Sequence, residues 1–452
     1  MLKDMQITVP DKVRAVLEAL EAAGYEAYVV GGCVRDALLG RQPNDWDICT
    51  SALPETTRHI AQAAGFETYD TGIKHGTITV RVDDENFEVT TYRSDGAYLD
   101  GRHPESVEFL NDIEGDLLRR DFTVNAMAYH PERGLVDIAG GAADLEAHVL
   151  RAVGDAHTRF EEDGLRIIRA LRFAATFGFE IEQRTSAAVH ADRQLLGRVA
   201  TERISAEFMK LLCGADACRI LLEYRDVIAV FLPQLAPLFD LPQHTPYHCY
   251  DAWEHSVRAA SSIEPDPTLR LAALLHDVGK PTCATTDAAG VSHFHGHPQA
   301  GAPLAQEICR VLRLPSATCQ QVEFLVRYHD SRNSWIAHHI RSAIVKFGTD
   351  AVRHVFKVMR ADLSAHSELG RTQGLKRVDA YEQEFEQALE QMEAFSLHDL
   401  AINGTDLHKA GIEPGPEFGR LLNAALDEVA CGRLSNDHDV LMQWVLNEGG
   451  LR

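Results

Sequence analysis

Apolar and polar positions along this chain follow two different periods, and the change from one to the other falls near residue 150. Residues 11–24, DKVRAVLEALEAAG, carry apolar side chains at helical spacing and stop at Gly24. Tyr28-Val29-Val30 is a short apolar run of the kind a buried strand shows, and Gly31 and Gly32 break it and begin a helix. A further helix is predicted from Leu53-Pro54-Glu55 to about Ala64, ending at Gly65. HGTITVRVDDENFEVTTYR then alternates with period two around a turn at Asp83–Asn86, which predicts a hairpin in the same sheet. Residues 94–106, SDGAYLDGRHPES, read as a mobile loop. LLRRDFTVNAMAYH leads into a second strand pair and a turn at Ala139-Gly140-Gly141.

From Thr158 onward the period is helical. RFEEDGLRIIRALRFAATFG is predicted as one strong helix with a glycine stop, and TERISAEFMKLLCG as another. Short helices broken by Pro233, Pro237 and Pro242 fill 215–245, and histidines become dense from His244 to His339. The tail from about Asp350 is helical again, with an acidic helix at YEQEFEQALEQMEAF. The fold class expected is α+β, with a small mixed β-sheet head followed by helical domains.

Composition narrows the setting. At 452 residues, 45% hydrophobic and 25% charged, the chain has the make-up of a soluble globular protein of two to four domains. It shows no run of 18 or more apolar residues and no secretory pattern at MLKDMQITVPDK, and its nine cysteines are scattered without a CxxC pair. A reducing, cytoplasmic location is expected, with no membrane contact and no disulfide framework. The net charge of −23 runs against nucleic-acid binding over the whole surface. A local basic footprint remains open, because arginines gather at 119, 120, 133, 151, 159, 166, 169 and 172.

Four places carry candidate chemistry. Gly31 and Gly32 let backbone approach an oxyanion at a helix start, with Arg35 one turn further on. If Asn44–Ile48 is a strand, Asp45 and Asp47 share a face, as a divalent-metal phosphoryl- or nucleotidyl-transfer site requires. Glu88, on the second hairpin strand, is a candidate third carboxylate. Arg119 and Arg120 precede Asp121, a set able to hold phosphates and to accept a hydrogen bond from a ribose hydroxyl. Asp163 and Arg166 are three apart, and an acceptor-only beside a donor-only side chain can read a base edge. Each has a plainer reading when taken alone: a turn, a solvated strand end, a surface ion-pair cluster, an i,i+3 ion pair.

The motifs GGCVRDALLG…DWD, RRDFTVNA, EDGLRIIRALRFA and TERISAEFMKLL, in that order over roughly residues 20–240, resemble the class II tRNA nucleotidyltransferases. That family comprises the CCA-adding enzymes and the bacterial poly(A) polymerases. The resemblance implies a catalytic head (1–150), a helical neck and body that templates the base and binds tRNA (151–243), and a helical tail that binds tRNA (363–452). It implies Mg²⁺ on Asp45 and Asp47, with Glu88 as the third ligand. Gly31, Gly32 and Arg35 would engage the triphosphate. Asp121 would sense the ribose, with Arg120 and Asn125 nearby. Asp163 and Arg166, assisted by Arg169, would template CTP and then ATP. The family commonly has proline where this chain has Gly164, which implies a looser templating helix. The loop 94–106 favours an enzyme able to add the terminal A.

A separate set, His255…HDVGK…FHGHPQAGA…VRYHD…RADLSAH, resembles the HD superfamily of metal-dependent phosphohydrolases and defines a domain over 244–362. The resemblance implies a divalent metal (Mn, Fe, Ni or Mg) on His255, His276, Asp277 and Asp362, with His297 and His329 as the extra ligands of two-metal members. The partners expected are tRNA, CTP and ATP, and no protein partner is implied. Two alternatives stand: an enzyme that adds only A, or poly(A); and an HD hydrolase whose head only binds RNA.

Overall fold

The computed structural model describes residues 5–73, 76–95 and 107–448. The chain forms two compact units, one running to Pro233 and one from Gln234. In the first unit, helix α1 (Asp11–Ala22) buries Val13, Val16, Leu17 and Leu20, the apolar stripe read from the sequence, and the chain turns at Gly24 with φ +88°. Strand β1 (Ala27–Val30) is wholly buried and feeds α2 (Gly32–Leu38). Strand β2 (Ile48–Thr50) follows, and then α3 (Pro54–Ala63), which starts on a proline at its first turn. Strands β3 (Glu67–Gly72), β4 (Thr77–Val82) and β5 (Glu85–Thr91) come next, with β4 and β5 paired as the expected hairpin.

Of the loop expected over 94–106, residues 96–106 lie outside the described residues. Its flanks, β6 (Arg93–Asp95) and β7 (Val107–Phe109), pair antiparallel. Helix α4 (Ile113–Leu118) leads to strands β8 (Ala128–His130) and β9 (Gly134–Val136). The seven-stranded sheet has the order β3-β4-β5-β2-β1-β8-β9. It is mixed: β2 runs parallel to β5, and the other neighbours are antiparallel. Tyr28, Val30, Cys49, Tyr92, Ile113, Leu117 and Ala128 form a core cluster on it.

Helix α5 (Gly141–Glu146) closes the head. The segment expected to be one helix is two: α6 (Ala156–Glu162) and α7 (Leu165–Phe177), separated at Asp163-Gly164 and ended by Gly178 in the left-handed region. The break arises because Asp163 takes an extended conformation and caps the new helix, its Oδ1 accepting from the Leu165 N–H at 3.0 Å. Gly164 has φ −57° and ψ −20°, and a Cβ there would lie 2.9 Å from the carbonyl oxygen of Leu195. This glycine therefore serves a close approach by the turn at Arg193–Arg198, and the expected loosening of the helix gives way to tight packing. Helices α8 (Gln183–Asp192) and α9 (Thr201–Leu212) complete the part of this unit that matters for the site.

The second unit is helical and presents its histidines from helix ends: Ala252–Ser262, Pro267–Leu275, His297–Val311, Ser316–Tyr328 and Thr349–Ser364. Gly279 of the HDVGK run is required by packing, since a Cβ there would meet the His297 carbonyl oxygen at 2.2 Å and the Gly301 nitrogen at 2.5 Å. No helix among the described residues is long and apolar enough to cross a membrane.

Candidate functional site

The bend after β1 is built on Gly31, whose φ of +81° and ψ of −124° suit glycine alone. A Cβ at Gly31 would lie 2.9 Å from Nη1 of Arg120, so that guanidinium rests against the bend. Asp45 and Asp47 precede β2 rather than lying within it, which corrects the strand assumed for Asn44–Ile48. The backbone nonetheless stays tied to the sheet, because the Val30 N–H donates to the Asp47 carbonyl at 2.9 Å. The parallel register pairs Ile48 with Val89, so Asp47 and Glu88 fall side by side one step earlier. Neighbouring protein atoms desolvate the Asp47 carboxyl and raise its pKa, although solvent still reaches the residue; Glu88 and then Asp45 push it the same way, against the pull of Arg120. Carboxylates crowded beside a glycine bend have the chemistry a divalent cation takes, although among the described residues their oxygens do not draw together around one point as the donor groups of the second unit do.

Arg35 is buried. Its Nη1 donates to Asn125 Oδ1 at 2.5 Å, its Nε donates to Asp36 at 2.9 Å, and its guanidinium lies 4.6 Å from the Phe177 ring centroid. Only its Nη2 comes near the bend, 3.6 Å from where a Gly32 Cβ would stand. The arginine that faces the bend and the aspartates is Arg120, which Asp116 also holds at 3.1 Å.

One face of α7 carries Arg166, Arg169 and Arg172 at i, i+3 and i+6. Arg169 makes two hydrogen bonds to Asp121 Oδ2, at 2.9 and 2.6 Å, while Asp121 Oδ1 accepts from Asn125 Nδ2 at 3.1 Å. Burial alone would raise the Asp121 pKa; the Arg169 charge and these hydrogen bonds outweigh it and bring the value down to about 2. Arg172 pairs with Glu207 at 2.5 Å. Arg166 gives Nη1 to Glu162 and Nη2 to the Arg119 carbonyl, at 2.5 and 3.1 Å. Asp163 instead takes Arg203 Nη2 on its Oδ2 at 2.8 Å. The expected neighbour pair Asp163–Arg166 is thus not on one helix, and each member has another partner. Reading from motifs counted Arg172 only among the gathered arginines and overlooked Arg203, Glu162 and Glu207. The only signals were the i+3 recurrence of arginine after Arg166 and the charges inside TERISAEFMK.

In the second unit, six residues named from the sequence converge. Each of four histidines is fixed by a contact from Nδ1 to a backbone carbonyl: His255 to Ala365 at 3.2 Å, His276 to Ala273 at 2.6 Å, His297 to Phe294 at 2.9 Å and His329 to Val326 at 2.7 Å. That contact places a proton on Nδ1 and turns Nε2 toward the centre. Asp277 divides the centre, with Oδ2 at 3.0 Å from His276 and 3.5 Å from His255, and Oδ1 at 3.2 Å from His297 and 4.0 Å from His329. Asp362 Oδ1 joins the first group, 2.9 Å from His255 Nε2. Burial opposes charge on His276, yet Asp277 and Asp362 raise its pKa to about 10. Burial lowers the pKa of His255 and His329 in the same cluster, and its donors fit divalent metals. Three residues went unassigned in the sequence: Lys280, with Nζ 2.6 Å from Asp277 Oδ2; His366, with Nε2 3.1 Å from Asp362 Oδ1; and His248, which gathers with His255 and His366 as a further donor group. A cavity of about 360 Å³ opens over Asp277, Lys280, His297, His329, Asp362 and His366.

Three family descriptions match the chain: "Poly A polymerase head domain" over residues 27–151, "Probable RNA and SrmB- binding site of polymerase A" over 178–239, and "tRNA nucleotidyltransferase domain 2 putative" over 302–445. The CCA-adding enzyme of Lacticaseibacillus paracasei is 33% identical over 96% of each chain. That of Streptococcus thermophilus is 34% identical, again over 96% of each. Among solved structures, the Bacillus stearothermophilus CCA-adding enzyme in complex with CTP aligns with a TM-score of 0.67 at 27% identity over 98% of each chain. The Thermotoga maritima CCA-adding enzyme complexed with tRNA aligns at 0.62 and 20% identity over 98% of this chain and 100% of that one, a likeness of fold.

Proposed function

Because the chain belongs to the CCA-adding enzyme family of class II tRNA nucleotidyltransferases, we propose that it extends tRNA 3′ ends with CCA from CTP and ATP using the residues gathered around the Gly31 bend. Residues 1–150 are the catalytic head and 151–243 the base-reading neck. Asp45, Asp47 and Glu88 would hold the divalent cations, Mg²⁺ in this reading. When bound, these supply Lewis-acid activation of the 3′-hydroxyl and neutralise charge on the triphosphate. The supporting observation is the register that sets Asp47 beside Glu88, with Arg120 against the glycine bend and its charge acting on Asp47.

The chain's own part is positioning. Gly31 and Gly32 let backbone lie against the triphosphate, Arg120 offers it a charge, and Arg35 adds a second charge from beneath Gly32. Asp121, fixed by Arg169, accepts from the ribose. Asp163 accepts and Arg166 donates, which matches an amino group beside a bare ring nitrogen. Cytosine and adenine share that pattern on the Watson–Crick edge, and uracil and guanine present the reverse. The tail (363–452) and neck hold tRNA by backbone and shape. The test is a tRNA ending at its discriminator base, incubated with CTP and ATP. Ordered C, C, A incorporation that disappears in D45A/D47A is expected. ATP-only use on CC-ended tRNA, or addition that survives D45A/D47A, overturns the reading.

We further propose that residues 244–362 form an HD phosphohydrolase site. The observation favouring this is the Asp277 carboxylate set between two histidine pairs. His255, His276, Asp277 and Asp362 would hold one divalent metal, and Asp277, His297 and His329 a second. When bound, the metals supply an activated water for attack on a phosphate ester. Lys280 places a fixed positive charge at the floor of the cavity. Hydrolysis of p-nitrophenyl phosphate or a nucleoside monophosphate with added Mn²⁺ or Ni²⁺ is expected, and its persistence in H276A/D277A would overturn this assignment.

A further inference from the structure

Asp163 and Arg166 carry opposite charges three residues apart, and on a continuous helix they would satisfy each other. Two outside partners prevent this. Arg203, in the first turn of α9, holds Asp163 Oδ2 at 2.8 Å and approaches Oδ1 at 3.5 Å. Glu162 holds Arg166 at 2.5 Å, with backbone carbonyls of Arg159 and Arg119 each 3.1 Å from its guanidinium. The Leu165 N–H takes one further direction on Asp163 Oδ1 at 3.0 Å. An ionised carboxylate accepts in about four directions. Arg203 and Leu165 use about one on each oxygen and leave the others for a ligand.

We propose that Arg203 is a specificity-determining positioning residue: by pairing with Asp163 it keeps that carboxylate away from Arg166, so that an acceptor and a donor stand apart, ready for a base amino group and ring nitrogen. The inference rests on the reading of Asp163 and Arg166 as the base-reading pair. Without Arg203 the countercharge next to Asp163 in sequence is Arg166, with Arg169, which already feels Asp163, one turn further along α7. Asp163 and Arg166 would close on each other, and each would use on its neighbour the hydrogen bond it owes the base. Nothing that remains would separate an amino group from a carbonyl. The loss falls on the choice of nucleotide, because Arg120, Asp45 and Asp47 are untouched.

The experiment measures kcat and KM for CTP, UTP, ATP and GTP on tRNA ending at the discriminator base or at CC, for the full chain, R203Q, R203K, D163A and D163A/R203Q. R203Q is expected to reduce the CTP-over-UTP and ATP-over-GTP ratios of kcat/KM by roughly tenfold or more, the scale of one well-placed base contact. R203K, which keeps the charge, is expected to recover part of the ratio. D163A is expected to erase the ratio, and R203Q to add nothing to it in the double variant. A drop by the same factor for all four nucleotides in R203Q, with the ratios kept, would mean that Arg203 only supports the fold, and would overturn the proposal. So would unchanged ratios in R203Q where D163A loses them. If D163A itself keeps the ratios, the base-reading assignment fails and this inference fails with it.

Discussion

Replacing Arg169 with methionine would leave the buried Asp121 without its main countercharge. In the wild-type chain Arg169 meets Asp121 Oδ2 through two nitrogens at 2.9 and 2.6 Å, and Asn125 and the Phe122 N–H hold Oδ1 at 3.1 and 2.8 Å. Burial works to raise this pKa, and the Arg169 charge with the hydrogen bonds brings it to about 2 from an ordinary 3.8. That difference corresponds to ~2 kcal/mol of folding free energy. A lowered carboxylate pKa contributes in full above the unfolded value, and the contribution is lost as pH falls through the folded value. The window therefore runs from about pH 4 down to about pH 2, with roughly half remaining near pH 3. R169M is expected to be less stable by ~2–4 kcal/mol at neutral pH, since removing one member of a buried pair strands the other. Urea unfolding of the intact chain, followed for the transition of the unit ending at Pro233, reads this. The deficit should shrink at pH 3, and D121N/R169M, which removes the stranded charge, should regain part of it. An equal deficit at both pH values, or a double variant no better than R169M, would refute the reasoning.

Three other outcomes follow from local geometry. Gly31→Ala forces a Cβ to 2.9 Å from Arg120 Nη1 at φ +81°; it should cost about 1–3 kcal/mol in unfolding assays and reduce addition at least tenfold. Gly164→Ala sets a Cβ 2.9 Å from the Leu195 carbonyl oxygen, so a loss of about 1–3 kcal/mol is expected by calorimetry, and an unchanged melting temperature would show that the turn at 193–198 yields freely. Asp277→Asn should lower the divalent metal retained by the second unit, read by elemental analysis of the intact chain. Retention equal to that of the unsubstituted chain would show that the two histidine pairs do not share this carboxylate.

Much of the architecture was legible because periodicity alone decides it. Helix α1 and the β4–β5 hairpin follow from apolar spacing and turn residues, and so does the existence of the acidic tail helix, although it runs Glu368–Gln391 where the sequence predicts 381–395. The break at Asp163-Gly164 was not legible, because EEDGLRIIRA keeps helical spacing straight through it. What interrupts the helix is a side-chain cap on Leu165 and the approach of Leu195 from thirty residues on. Arg35 read as a phosphate contact from its place one turn after the glycines, yet most of its hydrogen bonding goes to Asn125 and Asp36. No local signal tells of a partner 90 residues away. The histidine centre was legible residue by residue because each ligand type is chemically distinctive. The Nδ1 contacts that orient the rings are made to backbone carbonyls, which any sequence supplies.

The grip of α7 on the head has a consequence for accuracy. Arg166 holds the carbonyl of residue 119 and Arg169 holds the side chain of residue 121, so the helix clasps the chain on both sides of Arg120. If Arg120 meets the triphosphate and Asp163 and Arg166 read the base, as proposed, a base that sits askew would strain the clasp that aims Arg120, and misrecognition at one end would be felt as misalignment at the other. A wrong monomer would then be rejected by failing to react, with no separate proofreading step.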